Sequence, residues 1–241
     1  MADSTRFILV NTSHAGNVGA AARAMKVMGF TDLVLVQPRF PDVLVQEETV
    51  AMASGAADVL VRARVVPTLA DALDGITWAC ATAMTPRDFG PPTFAPRPHF
   101  ESLVGTGHRV ALVFGPERTG LSNEDVYRCH ACLSIPAEPA YGSLNLAQAV
   151  QVLAYEWRQA LGGYAVQPRT AEPQWADGVA VQGALTHWQG VLERIGFLDP
   201  VAPKKLMPRL NQLLNRAQLT QEEVHILRGI ARAVDGRPQQ K

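Results

Sequence analysis

Three short segments in this chain of 241 residues carry the amides, guanidinium, carboxylate and hydroxyl that bind charge, hydrogen-bond a ligand or move a proton. The first, Asn17-Val-Gly-Ala-Ala-Ala-Arg23, sets an amide and a guanidinium six residues apart among small residues. Burying an unpaired guanidinium is costly, so Arg23 serves either chemistry or a surface ion pair rather than core packing. On a helix that spacing separates the two side chains by roughly 240° after one full turn, so they converge on one mouth only if Asn17 precedes the helix. The second segment, Phe114-Gly-Pro-Glu-Arg-Thr-Gly-Leu121, places Glu117 between Gly115 and Gly120, whose backbone freedom suits a tight loop. Glu117 is either a functional carboxylate or a surface residue of a structural turn. The third, Tyr141-Gly-Ser-Leu-Asn-Leu146, offers Ser143 as a helix cap and Asn145 as a hydrogen-bond donor or acceptor. Capping explains Ser143 and leaves Asn145 without a role.

Two other patterns compete. Gly16-Asn-Val-Gly19 between a strand and a helix resembles part of a dinucleotide-binding turn, in which glycines let phosphate approach a helix N-terminus. The third fingerprint glycine is missing, and the second strand ends at Gln37-Pro38 where a ribose-binding acid belongs. Cys129-His-Ala-Cys132 has no second Cys/His pair at a matching spacing, and a structural zinc site takes four ligands. Cys80, Cys129 and Cys132 are therefore read as structural thiols, with no metal expected.

Parallel strands position such segments. Phe7–Val10, Leu33–Val36, Trp78–Ala81, Val110–Phe114 and Cys132–Ile135 read as buried strands, alternating with helices over Val18–Met28, Glu47–Ala57, Thr68–Leu73 and Asn123–Cys129, the last capped by Ser122. That is an α/β pattern with a largely parallel sheet. Leu146, Ala149, Val150, Leu153, Trp157 and Leu161 form one apolar helical stripe, which suits either a core or a dimer seam. Gly162-Gly163 stops it, and the proline-bearing stretch that follows lacks periodicity. The organisation is thus a domain over 1–163, a linker over 164–174 and a helical extension over 175–241, whose Thr220-Gln-Glu-Glu223 is a capping box.

A hydrophobic content of 47% excludes wholesale disorder. The first six residues lack the basic stretch and apolar core of a secretion signal, and no apolar run approaches the roughly 18 residues that span a bilayer. A cytoplasmic protein is expected. Net charge is zero but unevenly spread: residues 42–74 hold six acids against two arginines, and residues 204–241 hold eight bases against three acids. Arg209, Arg216, Arg228 and Arg232 are either solvated surface or RNA contacts.

In order and internal spacing the three segments resemble the motifs of the SPOUT class of RNA 2'-O-methyltransferases, the TrmH-like enzymes. The flanks Asn11-Thr-Ser-His-Ala-Gly-Asn17 and Arg23-Ala-Met-Lys-Val-Met-Gly-Phe30 look like the TrmJ branch, which modifies the anticodon loop of tRNA. The resemblance covers about residues 5 to 160, and more loosely the helical tail. It implies an α/β sheet with a trefoil-knotted C-terminal half, which composition does not reveal because knots are so rare. It also implies bent S-adenosylmethionine held by Thr82-Ala83-Met84, Gly115, Gly120, Ile135 and Gly142-Ser143-Leu144. The implied substrate is the 2'-oxygen of cytidine or uridine 32 in tRNA. By the same resemblance Arg23 is expected either to take its proton or to bind the neighbouring phosphate and the developing alkoxide. Asn17 and Asn145 orient Arg23 and the ribose, Ser143 supports the cofactor loop, and Glu117 holds Arg23 or loop backbone. Family members are homodimers whose active sites are completed by the partner subunit. The alternatives are another RNA position, wobble nucleotide 34 or ribosomal RNA, and a non-catalytic RNA-binding protein.

Overall fold

The computed structural model describes residues 4–83, 87–166 and 172–236. The chain divides into two compact units, Met1–Ala165 and Val166–Lys241.

The first unit holds β1 (Arg6–Val10), β2 (Asp32–Val36), β3 (Arg64–Val66), β4 (Trp78–Thr82), β5 (Thr93–Phe94), β6 (Val110–Phe114) and β7 (Ala131–Leu133). They make one sheet of order β3-β2-β1-β6-β4-β7-β5, every pairing parallel. Five strands stand where the aliphatic runs place them. β3 and β5 have no counterpart among the predicted strands: they are three and two residues long, lie at the two sheet edges, and carry no buried run to betray them.

Helices α1 (Ala15–Val27), α2 (Glu47–Ala53), α3 (Ala57–Arg62), α4 (Leu69–Ala72), α5 (Pro96–Leu103), α6 (Asn123–Tyr127) and α7 (Leu146–Ala160) cover both faces. A sheet covered twice must be apolar on both sides. Accordingly Phe7 and Leu9 of β1 join one core with α1 and α7, while Ile8 and Val10 join the other with Leu121 and Val126. The helix predicted over Glu47–Ala57 is interrupted at Ser54, whose φ of 50° starts a 3-10 turn between α2 and α3. α5 opens on Pro96, a residue whose fixed φ suits the first helical turn; its neighbouring prolines mask it in the sequence.

Two side chains fasten α7, one to the residue before β1 and one to the end of α1. Trp157 donates from Nε1 to Thr5 Oγ1 at 2.7 Å, and Arg158 donates from Nε to the Met28 carbonyl at 2.7 Å. Beneath α1, the rings of Phe7 and Phe114 stack at 6.2 Å, so β1 and β6 are joined by packing as well as by their ladder.

The second unit is helical: α8 (Gly178–Arg194), α9 (Leu206–Ala217) and α10 (Gln221–Asp235). Val181, Ala184, Leu185, Leu214 and Val224 form its core. The predicted capping box is present, with Thr220 and Glu223 exchanging hydrogen bonds at the start of α10. Asp177 caps α8 through Ala180 N–H at 2.7 Å, and Arg194 pairs with Asp235 at 2.6 Å. Arg209, Arg216, Arg228 and Arg232 are all exposed.

Candidate active site

In a parallel sheet every strand exits at the same edge, so the loops after β1, β6, β4 and β7 lie side by side in the order of the strands. The strand sequence turns back between β1 and β6, the kind of switch point at which open α/β sheets bind ligands. The three segments that are far apart in the chain meet there.

They meet through hydrogen bonds. Glu117, on the loop after β6, accepts from Asn17 Nδ2 at 2.9 Å, and Asn17 Oδ1 accepts from Asn145 Nδ2 at 2.9 Å. The direction of this chain follows from chemistry. An ionised carboxylate only accepts, so Asn17 must turn its amide nitrogen to Glu117 and its oxygen to Asn145. Asn145 then donates to Asn17 and keeps its own Oδ1 for the N–H groups of Ala147 at 2.9 Å and Gln148 at 3.4 Å.

Glu117 also accepts from Ser13 N–H at 3.0 Å, Ser13 Oγ at 2.6 Å and His14 N–H at 3.3 Å. Its position compensates for a missing cap: α1 has no side-chain cap at His14 and no acid in its first turn. The carboxylate brings negative charge to that helix end from 100 residues further along the chain. Burial, the largest single influence on Glu117, pushes its carboxyl up; the hydrogen bonds from Asn17 and Ser13 outweigh it and hold the group below the usual carboxylate value. Glu117 is thus an anionic hub. Of the two expected partners it holds loop backbone, and no ion pair with Arg23 is present among the described residues.

Two local expectations are corrected. The cap of α7 is Asn145 and not Ser143: Asn145 and Gln148 form a reciprocal capping box, while exposed Ser143 makes no cap bond. Nor does Asn17 precede α1; it is the third residue of the helix, half-buried, in its first turn. Asn17 and Arg23 therefore lie on different faces of one helix, which a spacing of six residues dictates. Arg23 is exposed, has no hydrogen bond or ion pair among the described residues, and does not line the cavity beside Glu117.

That cavity has a volume of about 400 Å³. Thr82, Ala83, Gly115, Gly120, Ile135, Gly142, Ser143 and Leu144 all line it; Met84, the remaining sequence-level candidate, lies outside the described residues. Thr82 is fixed by a 3.0 Å bond from Oγ1 to the Val113 carbonyl, and Ala83 N–H donates to the Leu133 carbonyl at 3.1 Å. Gly115 is required sterically, because a Cβ there would run into the backbone of Gly120 and Leu121; Gly120 has a φ of 67°. Ser13, His14 and Arg87 were not singled out from the sequence. For Ser13 and His14 the available signal is their place between the exit of β1 and the start of α1.

In Gly16-Asn-Val-Gly19 it is Gly19 that serves packing. A Cβ on Gly19 would strike the Thr49 carbonyl and stand 2.9 Å from the Ala53 amide, so Gly19 is where α1 and α2 touch. The three cysteines are free and buried, and burial pushes the thiols of Cys80 and Cys129 up to about 12. Among the described residues no cluster of three or more His, Cys, Asp or Glu side chains stands ready for a metal, and no helix is long and apolar enough to cross a membrane.

Comparison with known proteins agrees with this geometry. Residues 4–155 match the SpoU rRNA Methylase family, and residues 179–241 match the C-terminal domain of the tRNA methyltransferase TrmJ. The chain is 44% identical to the tRNA (cytidine/uridine/adenosine-2'-O-)-methyltransferase TrmJ of Pseudomonas aeruginosa, over 95% of this chain and 93% of that one. It is 40% identical to the tRNA (cytidine/uridine-2'-O-)-methyltransferase TrmJ of Photorhabdus laumondii, over 98% of each. Among solved structures, TrmJ from Z. mobilis superposes with a TM-score of 0.81 at 32% identity, covering 96% of this chain and 99% of that one. With both family regions in their expected order and relatives matched from end to end, the chain belongs to the SpoU methylase family and, within it, to the TrmJ group.

Proposed function

We propose that this chain is an S-adenosylmethionine-dependent tRNA 2'-O-methyltransferase acting on cytidine or uridine 32 of the anticodon loop. The observation that carries the reading is the hydrogen-bonded series Glu117, Asn17, Asn145, which begins on the wall of a cavity of about 400 Å³. The names of full-length relatives at 44% and 40% identity support the substrate class.

The cavity suits this cofactor: its size lies within the range of small-molecule sites, and Leu133, Ile135 and Leu144 supply apolar wall against which a nucleoside base can be covered. When bound, S-adenosylmethionine supplies a methyl group already activated on a sulfonium. The protein's own task is positioning, worth up to roughly 7 to 11 kcal/mol of barrier. Gly115 and Gly120 let the loop after β6 close on itself at the cavity wall. Glu117 fixes Asn17, and Asn17 fixes Asn145, so the mouth of the site has preset amide dipoles. Ser143 supports the cavity rim. Arg23 has donors and no acceptor, so it binds the phosphate beside the target ribose and stabilises the charge that develops on the 2'-oxygen as its proton passes to water.

A second copy of the chain completes the site. Arg23 stands on a face of α1 that its own cavity does not use, where its guanidinium is free to reach a neighbouring copy. Residues 1–163, whose C-terminal half is trefoil-knotted, form the catalytic domain. Residues 164–174 link it to a basic helical extension over 175–241 that contacts tRNA in the cytoplasm.

One observation favours a broader reading: the relative from Pseudomonas aeruginosa is named for adenosine as well as cytidine and uridine. Incubation with methyl-labelled S-adenosylmethionine and total RNA from a strain lacking the gene tests the proposal. Label in tRNA is expected; label in ribosomal RNA alone, or none, overturns it.

A further inference from the structure

Arg87 stands half-buried on the wall of the same cavity with one buried N–H donor unmet among the described residues. Its Nε is out of reach of solvent and has no partner among the described residues, and Nη2 reaches only the Leu121 carbonyl at 3.5 Å. A guanidinium carries five N–H donors in a fixed fork that matches a carboxylate. Buried polar groups are nearly always paired, so an orphan on a cavity wall marks a place where a ligand belongs.

Among the described residues Arg87 has no ion pair. Glu117, the acid on this wall, already accepts from Ser13, His14 and Asn17. Arg118, the other cation on the wall, is exposed to solvent. An unpaired guanidinium in this cavity also repels a sulfonium, unless the ligand brings its own anion. S-adenosylmethionine has one: its adenosine is neutral, its sulfonium and ammonium are positive, and its carboxylate is the sole negative group.

We infer that Arg87 receives the carboxylate of the amino-acid moiety of S-adenosylmethionine, an assignment that rests on the cofactor reading above. The side chain then acts in cofactor recognition and not on RNA. It selects adenosyl ligands that keep the amino-acid tail, and its demand for an acceptor is met only in the loaded enzyme.

Calorimetry on the full-length protein separates the possibilities, with S-adenosylhomocysteine and 5'-methylthioadenosine as probes, since the second lacks the amino-acid moiety. The wild-type chain is expected to bind S-adenosylhomocysteine at least about tenfold more tightly, as a charge-assisted pair requires. Arg87→Ala is expected to lose that advantage while binding methylthioadenosine as the wild type does, and Arg87→Lys to recover part of it. Methylthioadenosine affinity in Arg87→Ala doubles as the check that the cavity is intact. Equal losses for both probes overturn the assignment in favour of a structural role. Unchanged affinity for both overturns it in favour of an RNA phosphate. If the wild-type chain binds neither probe, the proposed function falls first and this assignment with it; if it binds both equally, the assignment alone falls.

Discussion

Asn145 donates from Nδ2 to Oδ1 of Asn17 at 2.9 Å, across 128 residues of chain. The same Asn145 caps α7 through its Oδ1, so one side chain ties the start of a core helix to the interior of another. Its two duties can be separated. Asn145→Asp keeps the acceptor for Ala147 and Gln148 and suits a helix N-terminus, but has no donor for Asn17. It is expected to melt within a few degrees of wild type and to transfer methyl groups at least about tenfold more slowly. Asn145→Ala adds the loss of a cap, about 1 kcal/mol. An Asn145→Asp variant with wild-type turnover means that the link to Asn17 is only architectural.

Glu117 gives a pH prediction with a definite sign. Its carboxyl is held below the ordinary value of 4.5, so its stabilising contribution is present above that value and is lost as pH falls through its lower folded value. Glu117→Gln turns an amide N–H₂ toward donors and leaves at least one of Ser13, His14 or Asn17 without an acceptor, a cost of roughly 1–3 kcal/mol. Urea unfolding is expected to show a gap between wild type and variant that is constant from pH 6 to 8 and shrinks below pH 4.5. A gap that changes between pH 6 and 8 instead assigns the effect to another group.

Arg23 is exposed and has no hydrogen bond or ion pair among the described residues, so Arg23→Ala should leave thermal stability and S-adenosylhomocysteine affinity unchanged while abolishing methyl transfer. Co-expression with a variant defective in the cavity, Gly115→Val, tests whether sites are shared. If a second copy completes each cavity, mixed dimers carry one intact site and recover part of the activity. No recovery, from dimers shown to contain both chains, places Arg23 at its own cavity.

Gly16 and Gly19 differ in what surrounds them. A methyl at Gly16 meets the far end of the Glu48 side chain, which can swing away, whereas one at Gly19 meets the backbone of Thr49 and Ala53. Gly19→Ala is expected to destabilise by about 1–3 kcal/mol as overpacked cores do, and Gly16→Ala by much less. Equal melting temperatures contradict a packing role for Gly19.

The sheet was legible because its central strands are buried on both faces and so read as aliphatic runs. β3 and β5, short and at the edges, carry too little apolar surface to leave such a trace. Asn17, Glu117 and Asn145 stood out as polar groups at strand exits and helix starts, but their connection did not, because hydrogen bonds across 100 and 128 residues leave no local pattern. Ser143 looked like the cap because a serine there is as good a candidate as the asparagine two residues on. Only the backbone course, which makes Leu146 the first helical residue, decides between them. Arg87 was invisible for a related reason: its significance lies in a partner that it lacks, which no sequence displays.

The central claim concerns one oxygen of one nucleotide, and mass spectrometry of nuclease-digested tRNA reads it directly. The gene-deletion strain, its complemented control and the strain carrying Arg23→Ala are compared for ribose methylation at each anticodon-loop position. The account predicts a 2'-O-methyl mark at position 32 in the complemented control, absent from the other two. A mark lost instead from position 34, a methyl group on a base, or full marking with Arg23→Ala would contradict it.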